Sequence, residues 1–454
     1  MKLFLNFFIL FCLMTANAQN IAIRSSIFHF KSDPEKSTDA YEYFEDGLMI
    51  VEDGLVKSVG NYEDLKDEIQ NFEFKDYSGK LVMPGFVDGH IHFPQTEMIA
   101  SHGEELMQWL DNYTFPTEGK FKDKTHSREV AKFFLNQLLK NGTTTALVFG
   151  TVHKESVDAF FEEAEKLNLR MIAGKVMMDR NAPEYLLDTP KSSYEDSKKL
   201  ITNWHGKGRL QYAVTPRFAI TSTEKQLAQA KRLLEEFPDV YLHTHLSENK
   251  AEIEFTKSLF PEADSYLDVY KNAGLFTEKT VFAHSIHLTD NEWKTLESHD
   301  CSIAFCPTSN LFLGSGLFNL QKAAKHNLRV AFGTDVGAGT SFSILETMNE
   351  AYKVTQLRKA FETEPESVLP LSTLKSFYLA TLGGAKALHL DEFIGNFETG
   401  KEADFVVLDL QSTDLLKFRL QQCKTLEERL FVLQILGDDR SIFQTYIKGK
   451  PVLN

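Results

Sequence analysis

The feature that most constrains this chain is an alternation. Eight short apolar runs of strand character stand at residues 81–91, 144–149, 171–176, 210–214, 240–245, 281–284, 303–306 and 330–334. Between them lie amphipathic stretches of helical period at 127–140, 156–167, 194–204, 223–236, 252–259, 290–298 and 320–326. Strands alternating with helices imply parallel strands joined by crossover helices. Eight such units predict an α/β fold, a closed (β/α)8 TIM-type barrel, with its chemistry at the carboxyl ends of the strands. The flanks read differently. Leu48-Met49-Ile50-Val51 and Val56-Lys57-Ser58-Val59 form strand candidates joined by the turn signal Glu52-Asp53-Gly54, and Phe405-Val406-Val407-Leu408 and Phe443-Gln444-Thr445-Tyr446-Ile447 form others near the end. Both flanks are expected to meet in one small discontinuous β domain. The division expected is a leader at 1–18, the β domain at 19–80 and 391–454, and the barrel at 81–390.

If the barrel reading is right, the strand ends should carry chemistry, and they do. The first apolar run leads into Pro84-Gly85-Phe86-Val87-Asp88-Gly89-His90-Ile91-His92. Successive strand side chains point to opposite faces, so His90 and His92 share one face and can grip one metal ion. Taken alone, His-x-His is a weak signal, as frequent by accident as by function. The other tips add His245, in His243-Thr244-His245-Leu246-Ser247-Glu248, then His284 in Phe282-Ala283-His284, and Asp335 in Gly333-Thr334-Asp335. Single histidines are usually core or surface residues, but five ionisable groups at four tips of one barrel pole form a specific set.

Imidazole combined with carboxylate suits a divalent transition metal such as zinc. The fourth tip, Thr215-Pro216-Arg217-Phe218, lacks a lysine that could bridge a second ion, so a single metal is expected. Such a metal makes water a nucleophile at neutral pH. Asp335 is placed to take the water proton, Glu248 to shuttle it to a ring nitrogen, and His284 to stabilise charge developing on the attacking oxygen. The structural alternatives are a helix-cap carboxylate for Glu248 and an orienting group for His284.

Net charge is −15 over 454 residues, with no basic stripe, which argues against a nucleic-acid polymer as partner. Lys2 followed by an apolar run to Met14 and then Ala16-Asn17-Ala18 has the build of an export signal cleaved after Ala18, too short to anchor in a bilayer. Export to the periplasm or exterior is therefore expected. The alternative is a cytoplasmic protein with an amino-terminal extension. Cleavage would leave Cys301, Cys306 and Cys423, an odd number that gives no disulfide framework, and Cys301 and Cys306 read as small core residues.

The motifs Pro84-Gly85-x-x-Asp88-x-His90-x-His92, His245-Leu246-Ser247-Glu248, Ala283-His284 and Gly333-Thr334-Asp335 resemble the amidohydrolase superfamily. Further stretches resemble its guanine deaminase branch: His92-Phe93-Pro94-Gln95, Gln108-Trp109-Leu110, Tyr113-Thr114-Phe115-Pro116-Thr117-Glu118, Asn141-Gly142-Thr143-Thr144-Thr145-Ala146, Thr215-Pro216-Arg217-Phe218, Cys306-Pro307-Thr308-Ser309-Asn310-Leu311 and Ala380-Thr381-Leu382-Gly383-Gly384-Ala385. The resemblance implies one zinc per subunit held by His90, His92, His245 and Asp335, and hydrolysis of guanine with water to xanthine and ammonia. It also implies Gln95, Arg217 and Phe218 as purine-recognition residues, with His92, His245, Glu248 and Asp335 also touching the substrate. Trp109 and Phe115 either line the pocket or merely pack a long loop. A homodimer is implied by resemblance alone. Gly89 departs from the pattern, where a larger residue usually precedes the first histidine, and is expected to loosen that strand end. Competing readings are a deaminase of another aminated ring, such as a pterin or triazine, and a barrel without catalysis that serves as an interaction protein.

Overall fold

The structure is a computed structural model and describes residues 20–102, 105–362 and 368–452. The proposed leader at 1–18 lies outside the described residues. Four strands precede the barrel: β1 (Ile21–Phe30), β2 (Tyr41–Glu52), β3 (Leu55–Asn61) and β4 (Glu73–Pro84). The β2–β3 hairpin turns at Asp53-Gly54, both with positive φ, as its sequence signal requires. Nine strands follow: β5 (Phe86–His92), β6 (Thr143–Phe149), β7 (Arg170–Gly174), β8 (Val176–Met177), β9 (Gln211–Pro216), β10 (Tyr241–Leu246), β11 (Thr280–His284), β12 (Ser302–Phe305) and β13 (Arg329–Phe332). The chain ends with β14 (Phe405–Leu408), β15 (Ile442–Ile447) and β16 (Lys450–Val452).

The central sheet is parallel and runs β13-β12-β11-β10-β9-β7-β6-β5, with the short β8 also on β9. Its two edges are joined at the carboxyl end, where Asp335 N donates to His90 O at 2.9 Å and His92 N donates to Val336 O at 3.0 Å. The sheet is therefore the (β/α)8 barrel. Its interior is packed by one side chain from each of seven strands, Val87, Leu147, Ile172, Ala213, Tyr241, Val281 and Ala304, joined by Cys306. The second sheet has seven strands in the order β16-β15-β14-β4-β1-β2-β3, so both flanks contribute to one sheet.

The apolar run 81–91 is two strands, not one. Leu81–Pro84 pairs antiparallel with β14 in the flanking sheet, and the barrel begins at Phe86. Pro84 has no N–H to continue a ladder. Gly85 donates instead to Asp404 O at 3.0 Å, and a Cβ on Gly85 would sit 2.2 Å from Thr144 Oγ1. Only glycine lets the chain step from sheet to barrel at that point. Gly89 plays a related part. A Cβ there would lie 2.7 Å from Ala331 Cβ, so its absence allows β5 to close tightly on β13 rather than loosening the strand.

Helices fill the spaces between strands as the periodicity predicts: Lys124–Lys140, Lys154–Lys166, Pro190–Trp204, Glu224–Glu236, Lys250–Leu259, Asp290–Ser298 and Leu320–Lys325. Reciprocal capping boxes start three of them, at Thr189 with Ser192, Asn249 with Glu252, and Thr289 with Glu292. Helices such as Thr373–Ala380 escaped the sequence reading because nearly every side is buried, which erases the amphipathic period. No helix among the described residues is long and apolar enough to cross a membrane.

Candidate active site

Four donor atoms converge at the carboxyl end of the barrel. His90 Nε2 lies 3.2 Å from His92 Nε2, and His92 Nε2 lies 3.3 Å from His245 Nε2. Asp335 Oδ1 is 3.1 Å from His90 Nε2 and 3.3 Å from His92 Nε2. Imidazole nitrogens and a carboxylate placed in this way could hold a cation between them. A tetrahedron drawn with zinc–ligand bonds of about 2.0–2.1 Å has edges of roughly 3.3–3.4 Å, close to these four separations, whereas His245 and Asp335 stand farther apart.

The protonation of the cluster fits as well. Burial pushes the imidazole of His92 down to about 3, and the rings of His90 and His245 are lowered by the same cause. Neutral rings offer lone pairs. Burial alone would raise Asp335, but His90 and His92 hold it well below the usual carboxylate range, so it stays an anion. Two of the three rings are oriented through their other nitrogen: His90 Nδ1 meets His243 Nε2 at 2.8 Å, and His245 Nδ1 donates to Arg217 O at 2.7 Å. The bond to Arg217 O places the His245 proton on Nδ1 and leaves its Nε2 free to ligate, and His90 is left the same way when its Nδ1 is the donor to His243.

Local backbone supports the geometry. A register shift between Asp88 and Ile91 puts a bulge at Gly89–His90, which re-aims the strand end. Asp88 accepts from the N–H groups of His90 and Thr334, each at 3.1 Å, and so pins β5 to the end of β13. His284, Ser285 and Asp335 carry φ of 68°, 54° and 52°. Non-glycine residues avoid this region, and such strain clusters at working sites.

Beside the donors stand two buried ionisable side chains, Glu248 and His284. Glu248 Oε2 is 3.4 Å from His284 Nε2, and Ser315 Oγ donates to Glu248 Oε1 at 3.0 Å. Burial, reinforced by the neighbouring Asp335 charge, pushes Glu248 up to about 8. The capping alternative for Glu248 does not hold: Asn249 caps the following helix and Glu252 completes the box. His284 also faces Asp335 Oδ2 at 3.8 Å, and its Nδ1 meets Asn310 Oδ1 at 2.9 Å.

The cleft above is lined by His92, Gln95, Trp109, Arg217, Phe218, His245, Glu248, Glu252, His284 and Asp335, with Leu106, Leu110, Leu313 and Ala338. Every expected substrate residue is on its wall. Trp109 lines it too, whereas Phe115 packs in the apolar roof with the Arg217 guanidinium 5.8 Å from its ring. Arg217 is not a surface ion-pair residue. It is 3% exposed, and its NH1 donates to both oxygens of Glu118 at 2.9 Å. Cys306 approaches His90, His284 and Asp335 but is a buried thiol pushed well up by burial, in keeping with a core role. Cys301, Cys306 and Cys423 are all free.

The sequence reading missed Glu118, His243, Asn310, Ser315 and Asp88 as parts of the site. His243 shares a strand face with His245, and Asp88 with His90, so the same alternation that picked the ligands could have found those two. Ser315 lies past the seventh strand with no local signal, and Asn310, though within the motif Cys306–Leu311, shows its task only through its contact with His284.

Comparison with known proteins agrees with this geometry. The amidohydrolase family profile matches residues 81–452. The chain is 55% identical over 421 residues to guanine deaminase of Escherichia coli strain K12, covering 92% of this chain and 94% of that one. The solved E. coli guanine deaminase superposes with a TM-score of 0.92 at 54% identity, covering 95% of this chain and 99% of that one. Guanine deaminase from C. acetobutylicum, solved with guanine bound in its active site, superposes with a TM-score of 0.87 at 29% identity, covering 96% and 100%.

Proposed function

Because this chain belongs to the amidohydrolase family, we propose that its barrel, which begins at Phe86, is a metal-dependent guanine deaminase that converts guanine and water to xanthine and ammonia. The observation that carries the reading is the set of four donors, linked through contacts of 3.1–3.3 Å about His92, at the floor of a cleft walled by Gln95, Arg217 and Phe218. His90, His92, His245 and Asp335 would hold one zinc ion, which when bound acidifies water and serves as a Lewis acid.

The chain's own residues handle the rest. Asp335, kept ionised by His90 and His92, accepts the proton of the attacking water. Glu248, which holds its proton at neutral pH, donates it to the ring nitrogen beside the reacting carbon, recovers the water proton from Asp335 and delivers that proton to the departing amine, and is reprotonated by the carbon-bound hydroxyl as the carbonyl forms. His284 faces both carboxyl groups. With Nδ1–H committed to Asn310, neutral His284 presents a lone pair and steadies the Glu248 proton, and it stabilises a developing negative charge only as imidazolium. Arg217 offers donors to a purine carbonyl, Gln95 pairs with the ring edge, and Phe218 packs on the base. Adenine presents an amine where guanine has a carbonyl and would leave the buried arginine donors unmet, so it should be rejected.

The test is purified full chain with guanine, following ammonia and xanthine, with and without chelator and zinc. Chelator-sensitive xanthine formation supports the reading, whereas preference for a pterin or triazine, or bound zinc without any turnover, overturns it. Export rests on residues 1–18 alone. Sequencing the amino terminus of the protein from its host decides it, with Gln19 as first residue expected. A homodimer is proposed from resemblance only, and sedimentation tests it.

A further inference from the structure

The motif Tyr113-Thr114-Phe115-Pro116-Thr117-Glu118 ends on an acid that the reaction above does not use. Glu118 is 0% exposed. Arg217 NH1 donates to its Oε1 and Oε2 at 2.9 Å, and Gln95 Nε2 donates to Oε1 at 3.2 Å. Gln95 Oε1 in turn accepts from Gly337 N at 3.2 Å. One carboxylate on the roof thus grips two cleft residues carried by different strand ends, β5 and β9. It also fixes which way the Gln95 amide points, nitrogen towards Glu118 and oxygen towards Gly337. No other described group accepts from the remaining nitrogens of Arg217, and Arg217 lines the cleft.

Charge matters here as much as position. A buried guanidinium with no counter-ion would make the cleft an anion site. Paired with Glu118, it becomes a neutral unit whose free donors keep direction but carry no net charge. We propose that Glu118 is a positioning residue for substrate recognition: it orients Arg217 and Gln95 and cancels the arginine charge, so that the cleft selects a neutral oxopurine over an anionic one. The proposal rests on the deaminase reading of this cleft. It has a consequence for turnover. Replacing an amine with a second carbonyl makes the purine ring a stronger acid, so the product is more readily anionic than the substrate, and Glu118 favours its departure.

The experiment compares wild type, Glu118→Gln, Arg217→Gln and the double variant as zinc-loaded full chains, reading KM, kcat, metal content and inhibition by added xanthine. Hydrogen bonds to charged groups predict that Glu118→Gln raises KM for guanine about 10- to 100-fold, with kcat changed less and metal retained. Xanthine should inhibit this variant more strongly than wild type, and the more so as pH rises and the ring ionises. Because Glu118 acts largely through Arg217 and otherwise only through Gln95, the double variant should lose less kcat/KM than the two single losses multiplied together. The double variant removes both buried charges together, so it remains informative where Glu118→Gln alone fails to fold. Unchanged KM, losses that multiply in the double variant, or unaltered xanthine inhibition would overturn the proposal while leaving guanine turnover by wild type intact. Wild type that neither binds nor deaminates guanine overturns both this proposal and the reading beneath it.

Discussion

Replacing Asp404 by alanine separates the pole of the barrel that holds it together from the pole that does chemistry. Asp404 precedes β14 and sits against the amino-terminal ends of the barrel strands. Its Oδ1 accepts from Arg209 NH1 and from Lys448 N, each at 2.9 Å, and its Oδ2 pairs with Arg209 NH2. Both partners are nearly closed to solvent, at 4% and 7% exposure. Breaking a buried ion pair from one side costs about 3–5 kcal/mol, because the surviving charge is left without its partner. Orphaning a backbone N–H adds about 1–3 kcal/mol. Glu402 offsets part of this, since its Oε2 remains 3.2 Å from Arg209 NH1 while it also holds Arg170 at 2.8 and 2.9 Å. A loss of about 4–5 kcal/mol follows, at the lower end of the combined range. Equilibrium urea unfolding of the metal-loaded protein measures it, and kcat per bound metal should be unchanged. Arg209→Met with Asp404→Leu, which removes both charges, should recover most of the loss. A loss below about 1 kcal/mol, the scale of an exposed pair, or a fall in kcat per bound metal, would refute the division of labour between the two poles.

Glu248→Gln keeps shape and can still accept from Ser315, so zinc should remain while kcat falls by roughly 10²–10⁴-fold, the range for a lost general acid–base; full activity, or protein unable to hold zinc, contradicts its role. Gly89→Ala places a Cβ 2.7 Å from Ala331 Cβ and 3.2 Å from Phe332 O, neither of which is a flexible side-chain end. β5 must then move off β13 and carry His90 with it, so metal titration should show weakened binding and stability should fall by about 1–3 kcal/mol as in overpacked cores. The pH dependence of the metal-free protein has a definite sign. Glu248 and Glu252 are raised from 4.5 to about 8 and about 7, and Asp88 from 3.8 to about 7, all chiefly by burial, so the folded state keeps protons that the unfolded chain has released. Their stabilisation is full below the unfolded values and is lost as pH climbs through the folded ones. The buried histidines act oppositely but only as pH drops below their ordinary 6.5. Melting temperature should therefore fall between pH 6.5 and 8, and less so in Glu252→Gln; a rise over that window would show the burial argument to be wrong.

The sequence carried a large part of this site because its elements announce themselves locally. His90, His92, His245, His284 and Asp335 each end an apolar run, and a parallel strand buried on both faces produces such a run wherever it occurs. Gln95, Arg217 and Phe218 follow strand ends in the same way, and all three reach the cleft. Glu118 shows no task in its local sequence, because its partners lie 23 and 99 positions away. The boundary near Leu81 was misread because one apolar run serves two sheets, and hydrophobicity does not record which sheet a strand joins.

Local order alone determined the alternation of strand and helix, the barrel it builds, and the strand tips at which a metal and a proton carrier would stand. Period, cap and turn are properties of neighbours in the chain. Tertiary structure alone decided that β5 closes on β13 through glycine, that Asn310 and Ser315 fix the proton pair, and that Glu118 neutralises Arg217. Each of these depends on distances between segments far apart in sequence, and on burial, which sets what a charge costs and therefore which partner it must find.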